Sequence, residues 1–214
     1  MPSQVDIYHQ LKKLIYHGEL SPGEKLSEVD LTKKMNVSRT PIREAFRQLQ
    51  MEGYITVLPH KGAYVSKLPP EKIEEIYDIV CLLEGFAAAL AAEKANGFGL
   101  NQLNRIQEKL DLFARRKKYR DYIQWNTRFH QCITRLGGNE SLAQTIDELR
   151  TRIYRYRLIS VTIPGYLEKY ASDHVRIIQA VVKKDSGRAK KYMEAHIDFV
   201  KKILINFLKE NRGF

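Results

Sequence analysis

The chain has 214 residues, 43% hydrophobic and 10% aromatic, and a formal net charge of +11; that length suits one large or two small packed domains and excludes disordered and fibrous classes. No run nears the ~20 apolar residues of a membrane span, the start MPSQVDIYHQ lacks the basic-then-apolar order of a secretory signal, and Cys81 and Cys132 have no close-spaced partner and read as core residues. A cytoplasmic protein with a polyanionic partner, nucleic acid before any other, and no membrane partner is expected.

Apolar residues at Val5, Tyr8, Leu11, Leu14 and Ile15 predict a first helix from Val5 to His17, closed by Gly18. Ser21-Pro22-Gly23 is a turn. A short second helix runs from Glu28 to Met35, and Asn36 can take the left-handed conformation that closes it. Ser38 is the N-cap candidate of a third helix, Thr40 to Glu52, with Pro41 in its first turn and Gly53 past its end. Helix, short turn, capped helix is the helix-turn-helix layout. Beyond Gly53 the period drops to two. Tyr54 to Leu58 and Ala63 to Lys67 predict strands joined at Pro59-His60-Lys61-Gly62, a wing.

Pro69-Pro70 marks the change to purely helical periodicity, because each ring fixes φ and disfavours helix in the residue before it. This places a first domain at residues 1–68 and a second at residues 69–214. The second carries helical stripes at Pro70 to Lys94, Leu100 to Arg116, Tyr119 to Leu136, Ser141 to Ser160, Pro164 to Lys184 and Ser186 to Lys209. The longest apolar segment, Ile79 to Ala92, is interrupted only by Glu84 and reads as a buried helix. Short breaks such as Asn96-Gly97, Ile163-Pro164-Gly165 and Asp185-Ser186-Gly187 imply antiparallel neighbours. The predicted fold is mainly α, an N-terminal winged helix-turn-helix of three helices plus a β-hairpin followed by an all-α antiparallel helical bundle.

A recognition helix enters the major groove N-terminus first, which puts Ser38, Arg39, Thr40, Pro41 and Arg43 at the bases and phosphates. Arg39 and Arg43 are four apart on one face, and a guanidinium fork can bond guanine bidentately or clamp a phosphate. The opposite face, Ile42, Ala45, Phe46 and Leu49, is left to pack on the first two helices. At the wing tip His60, Lys61 and Gly62 suit a phosphate or minor-groove contact. From Met1 to Lys67 ten Lys and Arg stand against seven Asp and Glu, a net +3 that leaves +8 on the remainder. Charge therefore supports DNA binding without locating it.

In the second half, His130, His174 and His196 all fall on apolar stripes, where a buried ring needs partners for its nitrogens. Three such residues on three helices can partner one another through a divalent metal, zinc or nickel, with Asn126 one turn before His130 able to add an oxygen. A lone inward histidine is more often a hydrogen-bonded core residue, and only the three together put the metal reading level with that one. The basic run Arg115-Arg116-Lys117-Lys118-Tyr119-Arg120 reads as a solvated connection that could also meet an acidic surface.

The run Gly23-Glu24-Lys25-Leu26-Ser27-Glu28, then Val37-Ser38-Arg39-Thr40-Pro41-Ile42-Arg43-Glu44-Ala45, Leu49 and Glu52-Gly53-Tyr54-Ile55, closely resembles the GntR family of transcription regulators. The resemblance implies a homodimer on a palindromic double-stranded operator, with Arg39, Thr40, Arg43 and the wing in contact. The second half is similar to the FadR-type effector domain called FCD, in which an acidic residue and three histidines hold a metal. Asn126-Thr127-Arg128-Phe129-His130, Asp173-His174 and Met193-Glu194-Ala195-His196-Ile197 carry that likeness. Two positions depart from it. Asn126 stands where the family usually has aspartate, and Val80, four before Glu84, stands where many relatives carry an arginine that meets a carboxylate effector.

The expected function is a DNA-binding transcription regulator, a repressor, whose operator affinity responds to a small metabolite, with an organic acid as the usual class, bound near the metal. No effector-contacting residue can be named from the sequence. The alternatives are a constitutive DNA-binding regulator with a purely structural helical dimerisation domain, and a metal-dependent enzyme fused to a DNA-binding domain. The last is disfavoured because no buried carboxylate base is evident beside Asn126.

Overall fold

The computed structural model describes residues 4–16, 18–163 and 165–211, without the side chains of Gln4, Val5, Arg155 and Glu168. His17, Pro164 and the side chain of Val5, used above, lie outside the described residues. The chain divides between Pro69 and Pro70 into two compact units.

The first unit runs α1 (Gln4–Tyr16), β1 (Lys25–Leu26), α2 (Glu28–Met35), α3 (Arg39–Met51), β2 (Ile55–Leu58) and β3 (Gly62–Val65). Ser27 starts α2 by accepting the Asp30 N–H at 3.2 Å, and Asn36 ends it at φ 54°, the left-handed conformation its side chain tolerates. The α3 stripe Ile42, Ala45, Phe46 and Leu49 is buried against Ile7, Leu11, Ile15 and Leu31. At the far end of α3, Glu52 accepts from the Tyr8 hydroxyl at 2.6 Å and Lys12 Nζ at 2.7 Å. Those bonds tie α1 to the joint between α3 and the wing.

The sheet is antiparallel with order β1-β3-β2 and Val57 opposite Ala63. β1 has no alternating pattern of its own, since two residues cannot show one, and it exists because Leu26 pairs with Ala63. The hairpin turns through His60 at φ 59° and Gly62 at φ 98°. A side chain at Gly62 would be strained there.

The second unit consists of α4 (Pro70–Lys94), α5 (Gly97–Arg115), α6 (Tyr119–Leu136), α7 (Glu140–Thr162), α8 (Tyr166–Val182) and α9 (Ser186–Glu210). Three of the polar breaks are caps: Asn96, Asn139 and Asp185 accept the N–H of Gly99, Leu142 and Arg188 at 2.9 to 3.0 Å. α5 accordingly begins three residues earlier than its apolar stripe suggests.

The segment Ile79 to Ala92 is not buried all round. Ile73, Ile76, Val80, Ala87, Ala88, Ala91 and Ala92 are sealed, whereas Ile79, Leu82 and Phe86 are 48%, 66% and 49% exposed. An apolar run lacks the polar face that would have told the two sides apart. Among the described residues, no helix is long and apolar enough to cross a membrane.

Candidate nucleic-acid interface and candidate metal centre

Ser38, Arg39 and Thr40 lie exposed at the start of α3, Pro41 is half-buried beneath them, and Arg43 follows one turn on. Ser38 holds the N-cap position but makes no capping bond. The residue three after it, whose N–H an N-cap oxygen ordinarily accepts, is Pro41, which has none. The Ser38 hydroxyl is therefore not used in capping, and the residue is exposed.

Arg43 donates Nε to Glu28 Oε2 at 2.9 Å, a contact between α3 and α2 that the sequence reading missed. Nε is the inner nitrogen, so the outer pair of the guanidinium fork remains free to bond an acceptor. Arg43, Arg47, Gln50 and Lys25 line an open groove of about 560 Å³ together with His60, Lys61 and Gly62. The fold thus brings Arg43 and the wing tip to one groove, while Ser38, Arg39, Thr40 and Pro41 stand outside its lining. Lys25 and Gln50 went unnoticed because nothing local in the sequence relates them to the wing.

In the helical unit, α6, α8 and α9 deliver His130, His174 and His196 to one point. Their ligand nitrogens lie within 4.8 Å of one another, and all three rings are buried. The rings of His174 and His196 are 4.8 Å apart by centroid, and Phe129 closes against His174 at 4.2 Å. Neither nitrogen of His174 has a hydrogen-bond partner among the described residues, and Asn126 Oδ1 is likewise buried without one. Unpaired buried polar atoms each cost about 1–3 kcal/mol, so their convergence here calls for a ligand.

Two carboxylates stand behind the histidines. Glu84, fully buried on α4, contacts His130 Nδ1 and Arg150 of α7. Burial alone would raise the Glu84 pKa, but the Arg150 and His130 partners outweigh it and hold the carboxyl well below the usual range. Burial first, then the Arg150 charge, pushes His130 down to about 3 against the pull of Glu84. Glu84 is therefore an acceptor and His130 a neutral ring, which puts the proton on Nδ1 and leaves the Nε2 lone pair for a metal. Asp173 stands 3.7 Å from His196 Nδ1 and pairs with Lys169. Burial lowers the pKa of His174 and of His196, so both rings are neutral near pH 7. Neutral imidazoles backed by carboxylates are the donor set of a divalent cation site, and the residues present fit one.

Glu84, a carboxylate whose proximity the sequence leaves open, stands against His130 rather than Asn126. Both its oxygens are engaged, and its lowered pKa makes it a poor general base.

Beside the histidines lies a narrow cavity lined by Tyr77, Asn126, His130, Arg150, Arg157, Tyr170 and His196 among others, with free space of only about 10 Å³. Val80 is fully buried and brings no charge. The cations at this wall are Arg150 and Arg157 of α7, seven residues and so two turns apart. Burial pushes the Tyr77 phenol up to about 12, which keeps its unpartnered O–H a donor.

Two family profiles match separate stretches of the chain. The profile of bacterial regulatory proteins, gntR family, matches residues 3–65, and that of the FCD domain matches residues 75–199. The HTH-type transcriptional regulator YdhC of Bacillus subtilis is 29% identical over 212 residues, 99% of this chain and 95% of that protein. The HTH-type transcriptional repressor RspR of Escherichia coli is 28% identical over 210 residues, 98% of this chain and 92% of that one. The solved structure of E. coli McbR/YncC has the same fold, with a TM-score of 0.82 over 96% of this chain and 99% of that one, at 24% identity. The chain belongs to the GntR family of bacterial transcription regulators, with an FCD domain as its helical half.

Proposed function

We propose that this regulator is a repressor that binds a palindromic operator as a homodimer in the cytoplasm and is released or tightened by a small metabolite bound beside a divalent cation. Ser38, Arg39, Thr40, Pro41 and Arg43 face the operator from α3, and His60, Lys61 and Gly62 face it from the wing. Two-fold operator symmetry calls for a second copy of the chain. The exposed α4 stripe Ile79, Leu82 and Phe86 is the surface that favours one.

The observation that carries the sensor reading is His174, sealed from solvent with neither ring nitrogen hydrogen-bonded among the described residues. His130, His174 and His196 would hold zinc or nickel, with Asn126 as the oxygen donor. The bound ion would supply open coordination positions to an anionic ligand. These four protein donors are neutral, and the carboxylates behind them, Glu84 and Asp173, are already paired with Arg150 and Lys169, so an anionic ligand would balance the cation's charge. Arg157, Arg150 and the Tyr77 hydroxyl favour an organic acid, in a role the α4 position of Val80 cannot fill. Because the cavity has room for about one water, such an acid enters only by moving side chains of α6, α7 and α8. Ligand binding is thereby coupled to helix packing, and a differential affinity of about 1–3 kcal/mol between packings is the usual scale for such a switch.

The test is operator selection from random duplexes, followed by anisotropy titrations with zinc- or nickel-loaded, chelated and organic-acid-treated protein. The expected result is a palindromic site whose affinity shifts with metal removal and with at least one acid, and a His174→Ala variant that binds the site but no longer responds. Operator binding indifferent to metal and to every acid tried would instead establish the constitutive regulator with a structural helical domain.

A further inference from the structure

The excess positive charge of the helical unit is concentrated in one hairpin. Residues 97–136, α5 and α6 with their connection, hold nine Lys and Arg against three Asp and Glu, a net +6 of the +8 that lies beyond Lys67. Elsewhere in the unit cations and acids nearly balance, 17 to 15, and several of them pair: Lys201 with Asp78 at 2.6 Å and Lys202 with Asp198 at 2.7 Å, for example. At the α5–α6 turn, Arg115, Arg116, Lys117, Lys118 and Arg120 are all exposed. None of them has an ion-pair partner among the described residues.

The local physics explains only part of this cluster. Arg115 and Arg116 sit at the C-terminal end of α5, where the helix dipole favours cations. The next residues run against the same rule. Lys117 adopts φ 53°, a conformation ordinarily given to glycine or asparagine. Lys118 occupies the N-cap of α6 with no side-chain bond to the helix, where Ser, Asp or Asn would cap it. Arg120 follows in the first turn, at the positive end of the dipole, with Asp121 the one acid there. Each choice costs helix stability, and charge retained against local preference marks a surface kept for a partner. The one large apolar side chain exposed in this hairpin among the described residues is Phe98, at the end of α5 away from the turn, and none is exposed at the turn itself. An amphipathic membrane contact needs such side chains, whereas a phosphate backbone does not.

We propose that the α5–α6 turn is a second DNA-backbone contact, taking phosphates of duplex DNA in addition to those met by the winged domain. The contact is sequence-independent and acts by counterion release. It rests on the chain being a DNA-binding regulator and adds nothing to operator base recognition.

The test uses the full-length chain carrying Lys117→Gly, Lys118→Ser and Arg120→Gln together, which should leave its melting temperature equal or raised. Binding to a 60-base-pair random-sequence duplex and to the selected operator in a duplex of that length is measured against salt. The expected result is a slope of log affinity on log salt about two to three lower in magnitude, at roughly 0.9 per lost phosphate contact, and affinity at 0.1 M salt down about tenfold or more. Unchanged slopes on both duplexes, in a variant that melts as high as the parent, would overturn the contact while leaving the regulator reading intact. Loss of binding to phosphatidylglycerol vesicles with DNA binding unaltered would reassign the surface to a membrane. Parent protein that binds no duplex at all would remove both readings.

Discussion

The two candidate sites are built in opposite ways. The candidate DNA-reading face is exposed and local, with Ser38, Arg39, Thr40 and Arg43 inside six consecutive residues and the wing tip reached by one hairpin. The candidate metal centre is sealed, and its participants come from α4, α6, α7, α8 and α9. An exposed arginine is held by one contact and can be lost without harm to the fold. A buried histidine–carboxylate–arginine chain cannot be cut at any link without stranding a charge. Function and stability are thus separable in the first site and joined in the second.

The largest effect should follow from cutting the buried chain. Glu84→Ala leaves Arg150 uncompensated in the core, so urea unfolding should show a loss of about 3–5 kcal/mol. A loss under 1 kcal/mol would mean the pair is not buried as described.

Next is the metal itself. At zinc or nickel a hundredfold above the dissociation constant, the parent should gain about 2.7 kcal/mol and His174→Ala nothing, read as a shift of the thermal midpoint. Acid should act in the opposite direction. The three histidines titrate below their ordinary 6.5 in the folded state, so the unfolded chain binds more protons as pH falls through 6.5. Metal-free stability should therefore be greatest above pH 6.5 and decline on acidification, continuing toward pH 3 for His130. The limit is about 1.4 kcal/mol per pH unit for each histidine. A denaturation midpoint flat between pH 7.5 and 5 would contradict neutral buried rings.

At the exposed site, Arg39→Ala should weaken specific operator binding by about 1–3 kcal/mol if it reads a guanine, with stability changed by no more than about 0.5 kcal/mol. Coupled loss of both quantities would erase the contrast between the sites. The smallest change is expected from Ser38→Ala. A working N-cap would cost about 1 kcal/mol, but Ser38 makes no capping bond, so the melting temperature should hold while DNA affinity slips.

Legibility in the sequence follows the same contrast. The helix-turn-helix could be read because each signal was local: Asn36 at the end of α2, Pro41 beneath Ser38, and the change of period after Gly53. The three histidines could be picked out because each interrupts an apolar stripe. Glu84 could not be assigned, since a carboxylate inside an apolar run gives no sign of which helix will bring its arginine, here Arg150, 66 residues away. Glu28 beside Arg43 and the two-residue strand β1 were hidden for the same reason.

The order of the helices and the wing, the two-part architecture and the candidate DNA-facing residues were thus legible in the sequence alone, because backbone propensity, capping and amphipathic period act over a few residues. Only the tertiary structure decided which side of α4 is exposed, which arginines stand at the cavity wall, and that three imidazoles share one point with carboxylates behind them. Those outcomes depend on how helices pack across the core, and side-chain contacts between distant segments leave no periodic trace in the chain.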